Sequence, residues 1–155
     1  MNLQPIPLIQ NAFGLLDKVG QWLALLPVRL LLAYEFFEAG LEKFNGDNWF
    51  THIQEQFPFP FNLIPTEISW QLATWTELLA PIALVLGLGT RFASVSLIIL
   101  TLVAWASVHA GLGYNVCSNG FKLPLIYLVL FVPLLLSGPG KLSLDYWIAR
   151  RLAKA

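Results

Sequence analysis

The sequence contains few charged residues, and this scarcity excludes most soluble classes of protein. Only 12% of its 155 residues are charged and 57% are hydrophobic, whereas soluble domains carry roughly 25% charged residues. The formal net charge is zero, so the basic excess that is typical of nucleic-acid-binding proteins is missing. We therefore expect an integral membrane protein that contacts lipid and binds no nucleic acid.

Cysteine and histidine are also rare. Cys117 is the single cysteine, which excludes an internal disulfide and a Cys-x-x-Cys motif within this chain. Because imidazole and thiolate ligands suit Cu(I) or Zn, His52, His109 and Cys117 form a candidate metal site. The alternative is that the lone cysteine is a small packing residue.

Four apolar segments, 22–43, 67–88, 92–109 and 121–137, have the length and composition of membrane-spanning helices. Residues 1–20 and 143–154 have amphipathic periodicity and predict helices that lie in the membrane interface. The predicted fold is therefore all-α. It is a single domain over residues 1–155, an integral membrane four-helix bundle with N- and C-terminal interfacial amphipathic helices.

Basic residues accumulate on one side of the predicted spans. Because such residues mark the cytoplasmic side, we expect both termini in the cytoplasm and the loops 44–66 and 110–120 outside, in a bacterial inner membrane. The basic residues on the cytoplasmic side are Lys18, Arg91, Lys141, Arg150, Arg151 and Lys154.

The first span carries five charges. At about 100° per residue, Glu35, Glu38 and Glu42 share one helix face, while Arg29 and Lys43 lie on another. Charged side chains within a membrane are costly and usually face a bundle interior or a cavity. With charges from other spans, they form a predicted intramembrane polar cluster: Arg29, Glu35, Glu38, Lys43, Glu77 and Lys122.

Two interpretations of the cluster remain open. Glu77 either forms a structural ion pair, for which Arg29 or Lys43 is available and Arg29 is favoured, or it carries a proton or binds a polar ligand. The acidic stripe is either neutralised by lysines from other helices, including Lys122, or forms a cation path.

The long loop 44–66 alternates phenylalanine and proline over residues 57–61. Its prolines exclude a regular helix, so the loop either caps the bundle or acts as a lid over a substrate. Trp75 and Trp105 with nearby carboxylates also suggest a quinone site, although aromatic residues at helical spacing more often serve packing.

Several motifs resemble the DoxX family of small four-span membrane proteins. They are Arg29…Gly40-x-x-Lys43, Glu77…Gly87-Leu-Gly89-Thr-Arg91, and Gly138-Pro-Gly140-x-x-Ser143-x-Asp145. The family is named after a subunit of a thiosulfate:quinone oxidoreductase, and the resemblance implies the fold and membrane placement more directly than the chemistry.

Further segments are similar to an HvfX-like subgroup that is associated with copper-binding, post-translationally modified peptides. They are residues 42–50, residues 56–62 and Lys122-Leu-Pro124. This likeness implies a role in maturation, export or anchoring in a copper-handling pathway. The short loop 110–120 has one cysteine and no histidine, which argues against a metal site built by that loop alone.

Three functions follow as hypotheses. The first is an accessory membrane subunit, rather than a stand-alone enzyme, of a redox or copper-peptide system with a membrane or periplasmic protein partner. The second is a quinone-reactive subunit that transfers electrons or protons, and the third is a transporter for a small cation or peptide. Four spans are few for a transporter, so a homodimer is a further expectation.

Overall fold

The structure is a computed structural model that describes residues 7–154, with side chains from residue 9 onward. Within this range it is helical without strands, which confirms the all-α prediction. The helices are α1 (Pro7–Leu23), α2 (Leu26–Asn45), α3 (Thr66–Leu86), α4 (Thr90–Ala104), α5 (Lys122–Ser137) and α6 (Leu144–Leu152).

The four long helices α2 to α5 pack around one apolar core. Helix α2 packs against α3, α3 against α4, and α4 against α5, while α5 also contacts α2. All four contribute buried core side chains, among them Phe36, Leu84, Leu97 and Phe131. The apolar stripes of all four helices meet in this core.

The first long helix begins later than predicted. Trp22 belongs to α1, and α2 starts at Leu26 with Pro27 in its first turn. Proline lacks a backbone N–H and is tolerated best in the first turn of a helix, where that donor is unused, so Pro27 favours a new helix start rather than a continuous helix. The predicted N-terminal helix begins in residues 1–6, which lie outside the described residues.

The third long helix changes its winding near its end. After Ala104 the chain continues as a π-helical turn over Trp105–His109. Such turns are rare and often occur at functional sites. The helical segment therefore reaches residue 109, but its last turn is wider than an α-helix.

Apolar side chains cover the outward faces of the long helices. Leu31 is 48% exposed, Leu79 58%, Leu102 48% and Val129 60%. Exposed apolar surface on this scale suits contact with lipid or another chain. Within the described residues, one helical segment, Thr90–His109, is long and apolar enough to cross a membrane by length and composition.

Two of the other long helices are shorter or more highly charged than this segment. Helix α5 is apolar but has only 16 residues. Helix α2 carries the five charges of the first predicted span, from Arg29 to Lys43. Charged residues that pair inside the protein lower the mean hydropathy of a helix without preventing it from lying in a membrane.

The terminal helices meet at one end of the molecule. Ser143 caps α6 by accepting a hydrogen bond from the Tyr146 N–H at 3.2 Å. The Tyr146 ring packs edge-on against Trp22 of α1, with ring centroids 6.4 Å apart. Lys141 donates a hydrogen bond to Gln21. The end of α1 and the start of α6 thus lie side by side.

Candidate functional site: a cavity beside a buried ion pair

Two charged side chains are buried among the described residues, and they lie at different sites. Arg29 is 1% exposed and Glu77 is 3% exposed. Arg29 is in the first turn of α2, whereas Glu77 is in the middle of α3. Each has its own set of partners, so the prediction that Arg29 is the counter-ion of Glu77 is wrong.

Arg29 binds backbone carbonyl groups. Its Nε donates to the Leu84 carbonyl at 2.7 Å, and its Nη2 donates to the Val85 carbonyl at 2.7 Å. Its Nη1 donates to the carbonyls of Pro139 at 3.1 Å and Leu142 at 2.7 Å. Since the last carbonyls of a helix lack intrahelical donors, Arg29 satisfies the end of α3 and ties it to the segment before α6.

The residues around Arg29 complete this connection, which we call the arginine knot: Arg29, Gly87, Ser143 and Asp145. Gly87 has φ +65°, and a Cβ there would lie 2.5 Å from the Ser143 Cβ, so only glycine fits. The Asp145 carboxylate accepts hydrogen bonds from the N–H groups of Gly89 at 2.8 Å and Thr90 at 3.0 Å. Asp145 therefore caps α4, and the knot is a structural device that joins α2, α3, α4 and α6.

Glu77 instead pairs with Lys43. The Lys43 Nζ lies 2.7 Å from the Glu77 Oε2, and the two side chains are 14% and 4% exposed. Gly40 allows this approach, because a Cβ at Gly40 would lie only 2.9 Å from the Glu77 carbonyl carbon. The glycine lets α2 and α3 pack with their backbones in contact, which places the lysine and the glutamate within reach of each other.

A cavity of about 210 Å³ opens beside this ion pair. Helices α3 and α4, the π-helical turn and the loop between α2 and α3 form its walls, which are mainly aromatic and aliphatic. Mostly apolar cavities with a few polar groups are typical binding sites for small molecules. The lining residues are Lys43, Trp49, Phe50, Ile53, Phe57, Phe61, Ile64, Ser69, Leu72, Ala73, Thr76, Glu77, Ser96, Ile99, Leu100, Val103, Ala104, Ser107 and Val108.

The loop over residues 46–65 forms one side of the cavity. Phe50 packs edge-on against Phe57 at 5.1 Å and against Trp70 of α3 at 5.0 Å, measured between ring centroids. Phe57 is 6% exposed. The loop thus caps the helices through an aromatic cluster and at the same time covers the cavity, so the two predicted alternatives for this loop are compatible.

Hydroxyl groups supply further polarity in the cavity. The Ser107 Oγ donates to the carbonyl of Val103 at 2.7 Å, and the Ser96 Oγ donates to that of Phe92 at 3.1 Å. The Ser69 Oγ is buried, and no hydrogen-bond partner for it exists among the described residues. A buried hydroxyl without a partner is costly, so a ligand that hydrogen-bonds Ser69 would remove that cost.

The other members of the predicted polar cluster lie elsewhere. Glu35 accepts a hydrogen bond from the Tyr127 hydroxyl of α5, while Glu38 and Glu42 are exposed. The Lys122 Nζ lies 5.6 Å from the centre of the Tyr114 ring. The structure therefore brings Lys43 and Glu77 together and separates them from Arg29, Glu35, Glu38 and Lys122.

The candidate metal ligands do not converge. His109 lies with its Nδ1 2.6 Å from the carbonyl oxygen of Asn119. Cys117 and His52 are exposed in separate loops. No group of three His, Cys, Asp or Glu side chains within residues 9–154 is arranged to hold a metal ion. The predicted site at His52, His109 and Cys117 is not formed in this structure.

The sequence prediction missed two residues that take part in these contacts, Tyr127 and Ser69. Tyr127 is the hydrogen-bond donor to Glu35, where the sequence suggested a lysine. Ser69 lies in the cavity, yet a serine in the first turns of a helix has no sequence pattern that distinguishes it from an ordinary surface residue. The only available signal was the density of aromatic residues in the adjacent loop.

Comparison with known proteins supports the resemblance over the first two motifs, and the third motif, at residues 138–145, lies outside the matched range. The sequence profile of the DoxX family matches residues 24–110, from the start of α2 to the end of the π-helical turn. An uncharacterised protein of Haemophilus influenzae is 56% identical over 135 residues, which cover 87% of this chain and 89% of that relative. No solved structure matches the chain.

Proposed function

This chain belongs to the DoxX family of membrane proteins, and on that premise we propose that its cavity binds the headgroup of a membrane quinone. The observation that carries the proposal is the cavity itself, with apolar walls and a buried Lys43–Glu77 pair at one side. A quinone headgroup combines a flat apolar ring with carbonyl groups that accept hydrogen bonds. The cavity offers both kinds of contact.

Each polar residue has a defined role in this proposal. Lys43 and Ser69 are donors for the ligand carbonyls, and Glu77 is the group that gives or takes a proton when the ligand is reduced or oxidised. Phe50 and Phe57 provide aromatic edges for the ring. Electrons come from a partner protein that carries a redox centre, so the chain acts as an accessory membrane subunit of a redox system.

The membrane orientation follows the distribution of charge. The arginine knot, the end of α1 and the basic helix α6 lie together, which supports cytoplasmic termini in a bacterial inner membrane. The cavity and its covering loop lie toward the opposite ends of α2 and α3, so the quinone site faces the outer leaflet. The three glutamates of α2, Glu35, Glu38 and Glu42, do not line the cavity, which favours ligand binding over a cation path.

Copper-peptide maturation is the weaker alternative. The likeness of the loop sequence suggests it, but the donors that would bind copper are dispersed, as described above. Trp49, Phe50 and Phe57, which lie within the segments that resemble the copper-associated subgroup, line the cavity instead. The same residues are accordingly explained as walls of a binding site for an apolar ligand.

Binding of a short-chain ubiquinone analogue to the protein in nanodiscs tests the proposal. Ala104 lines the cavity, whereas Ala106 is an exposed residue two positions later in the same helical segment. We expect Ala104→Trp to weaken binding at least tenfold because the indole fills the cavity, and Ala106→Trp to bind as the wild type does. Equal affinities for both variants, or no saturable binding by the wild type, would overturn the proposal.

A further inference from the structure

A second depression lies at the end of the molecule that holds the termini. It is a groove of about 760 Å³ between the end of α1, the α3–α4 turn, the start of α4 and the segment before α6. It is separate from the quinone cavity and shares no lining residue with it. The groove is lined by Gly20, Gln21, Ala24, Leu25, Gly89, Arg91, Phe92, Ser137, Gly138, Pro139, Gly140, Lys141, Asp145 and Tyr146.

Two cations lie in this groove. The Arg91 Nη2 donates to the Leu136 carbonyl at 3.2 Å, and the Lys141 Nζ donates to Gln21. A guanidinium has five N–H donors and an ammonium three, so each group retains donors for a ligand. The groove is thus suited to an anion that accepts several hydrogen bonds.

The acidic residue in the groove is already engaged. Both oxygens of Asp145 accept hydrogen bonds from the backbone N–H groups of Gly89 and Thr90. Its negative charge is therefore directed at the start of α4, where the helix dipole stabilises it. Arg91 and Lys141 dominate the charge that an incoming ligand meets.

Apolar side chains border the same groove. Phe92 is 80% exposed although it lies in the first turn of α4. On the adjacent amphipathic helix α1, Leu16 and Phe13 precede the groove-lining Gly20 by four and seven residues, so they share its helix face, and they are 63% and 62% exposed. A free inorganic anion would leave these side chains uncovered, whereas a lipid would cover them with its acyl chains.

We propose that this groove binds an anionic phospholipid from the membrane leaflet nearest the termini. Arg91 and Lys141 hold the phosphate, and the acyl chains lie against Phe92 and α1. Basic pockets between helices at a membrane surface bind anionic headgroups in this way. The bound lipid would also fasten α1, whose packing against α2 is slight. This inference does not depend on quinone binding.

Retention of phosphatidylglycerol, measured by native mass spectrometry from mixed micelles with phosphatidylcholine, tests the inference. The test variant is Arg91→Gln with Lys141→Gln. The matched control is Arg150→Gln with Arg151→Gln, which removes the same charge from exposed positions of α6 outside the groove. We expect the groove variant to reduce phosphatidylglycerol retention about tenfold and the control to change it less than twofold.

Three outcomes would overturn the inference. Equal losses in both variants would indicate general attraction to basic residues, and equal retention of the two lipids would indicate no headgroup site. Competition by millimolar inorganic phosphate that equals competition by lipid would indicate a free-anion site. Unfolding curves in phosphatidylcholine alone identify a variant that does not fold, and in that case Lys141→Gln by itself replaces the double variant.

Discussion

Arg29 and Glu77 are buried to nearly the same degree on adjacent helices, yet their surroundings differ in kind. Arg29 has four hydrogen bonds to backbone carbonyls and close contact with Gly87. Glu77 has one lysine and a cavity beside it. Burial of a charge therefore does not by itself indicate function. The two sites differ in hydrogen bonding. Each side-chain nitrogen of Arg29 has a hydrogen-bond partner, whereas the cavity beside Glu77 contains the buried Ser69 hydroxyl, which has none among the described residues.

The chemistry of each side chain explains its location. A guanidinium is a planar fork of donors, so it can collect carbonyl groups where a helix ends and their intrahelical donors are missing. A carboxylate only accepts hydrogen bonds, and in the middle of α3 the backbone N–H groups are already used by the helix. Glu77 therefore depends on a cation from another helix.

Replacement of Arg29 should have the largest effect. Arg29→Gln removes the guanidinium group and leaves buried carbonyls of α3 and of the segment before α6 without donors. We expect a loss of roughly 3–5 kcal/mol in the free energy of unfolding. Unfolding in detergent measures it, with the exposed Arg150→Gln as a control that should change stability by less than about 0.5 kcal/mol. Similar values for the two variants would show that the knot is dispensable.

Removal of the Lys43–Glu77 pair should lower the free energy of unfolding less than Arg29→Gln does, and it should weaken ligand binding more. In a double-mutant cycle of Lys43→Met and Glu77→Gln, we expect a coupling free energy of about 1–3 kcal/mol. Since Gln keeps the shape but cannot exchange a proton, Glu77→Gln should also abolish turnover of quinone with a redox partner while the protein stays folded. Activity that merely follows the folded fraction, with Glu77→Ala behaving identically, would assign Glu77 a purely structural role.

The smallest loss of stability is expected from a change at the contact between α2 and α3. Gly40→Ala places a methyl group 2.9 Å from the Glu77 carbonyl carbon, so the helices must separate, at a cost of about 1–2 kcal/mol. Gly14→Ala is the matched control on α1, where a Cβ meets nothing within 4 Å, and it should be neutral or slightly stabilising. Thermal unfolding of both variants measures the difference. Equal melting temperatures would mean that the close approach is not required.

The helices could be predicted because each is encoded locally. The apolar runs and their flanking turns place α3, α4 and α5 within a few residues of their observed bounds. The start of α2 was misplaced since Trp22 is as compatible with an interfacial helix as with a membrane boundary. The partners of the charges were predicted less well: Lys43 was one of two options for Glu77, and the preferred one was wrong.

Composition and apolar periodicity were sufficient to predict a helical, apolar chain that is suited to a membrane, and short motifs identified residues of the DoxX family. Which of those residues are structural depends on how the helices pack. Arg29 and Glu77 are 48 positions apart, and nothing in their local sequence specifies that one meets carbonyls and the other a lysine. That choice depends on the register between α2 and α3, which the close contact at Gly40 sets. The cavity likewise depends on how a loop, a π-helical turn and two helices meet, since its volume is a property of their packing and of no single segment.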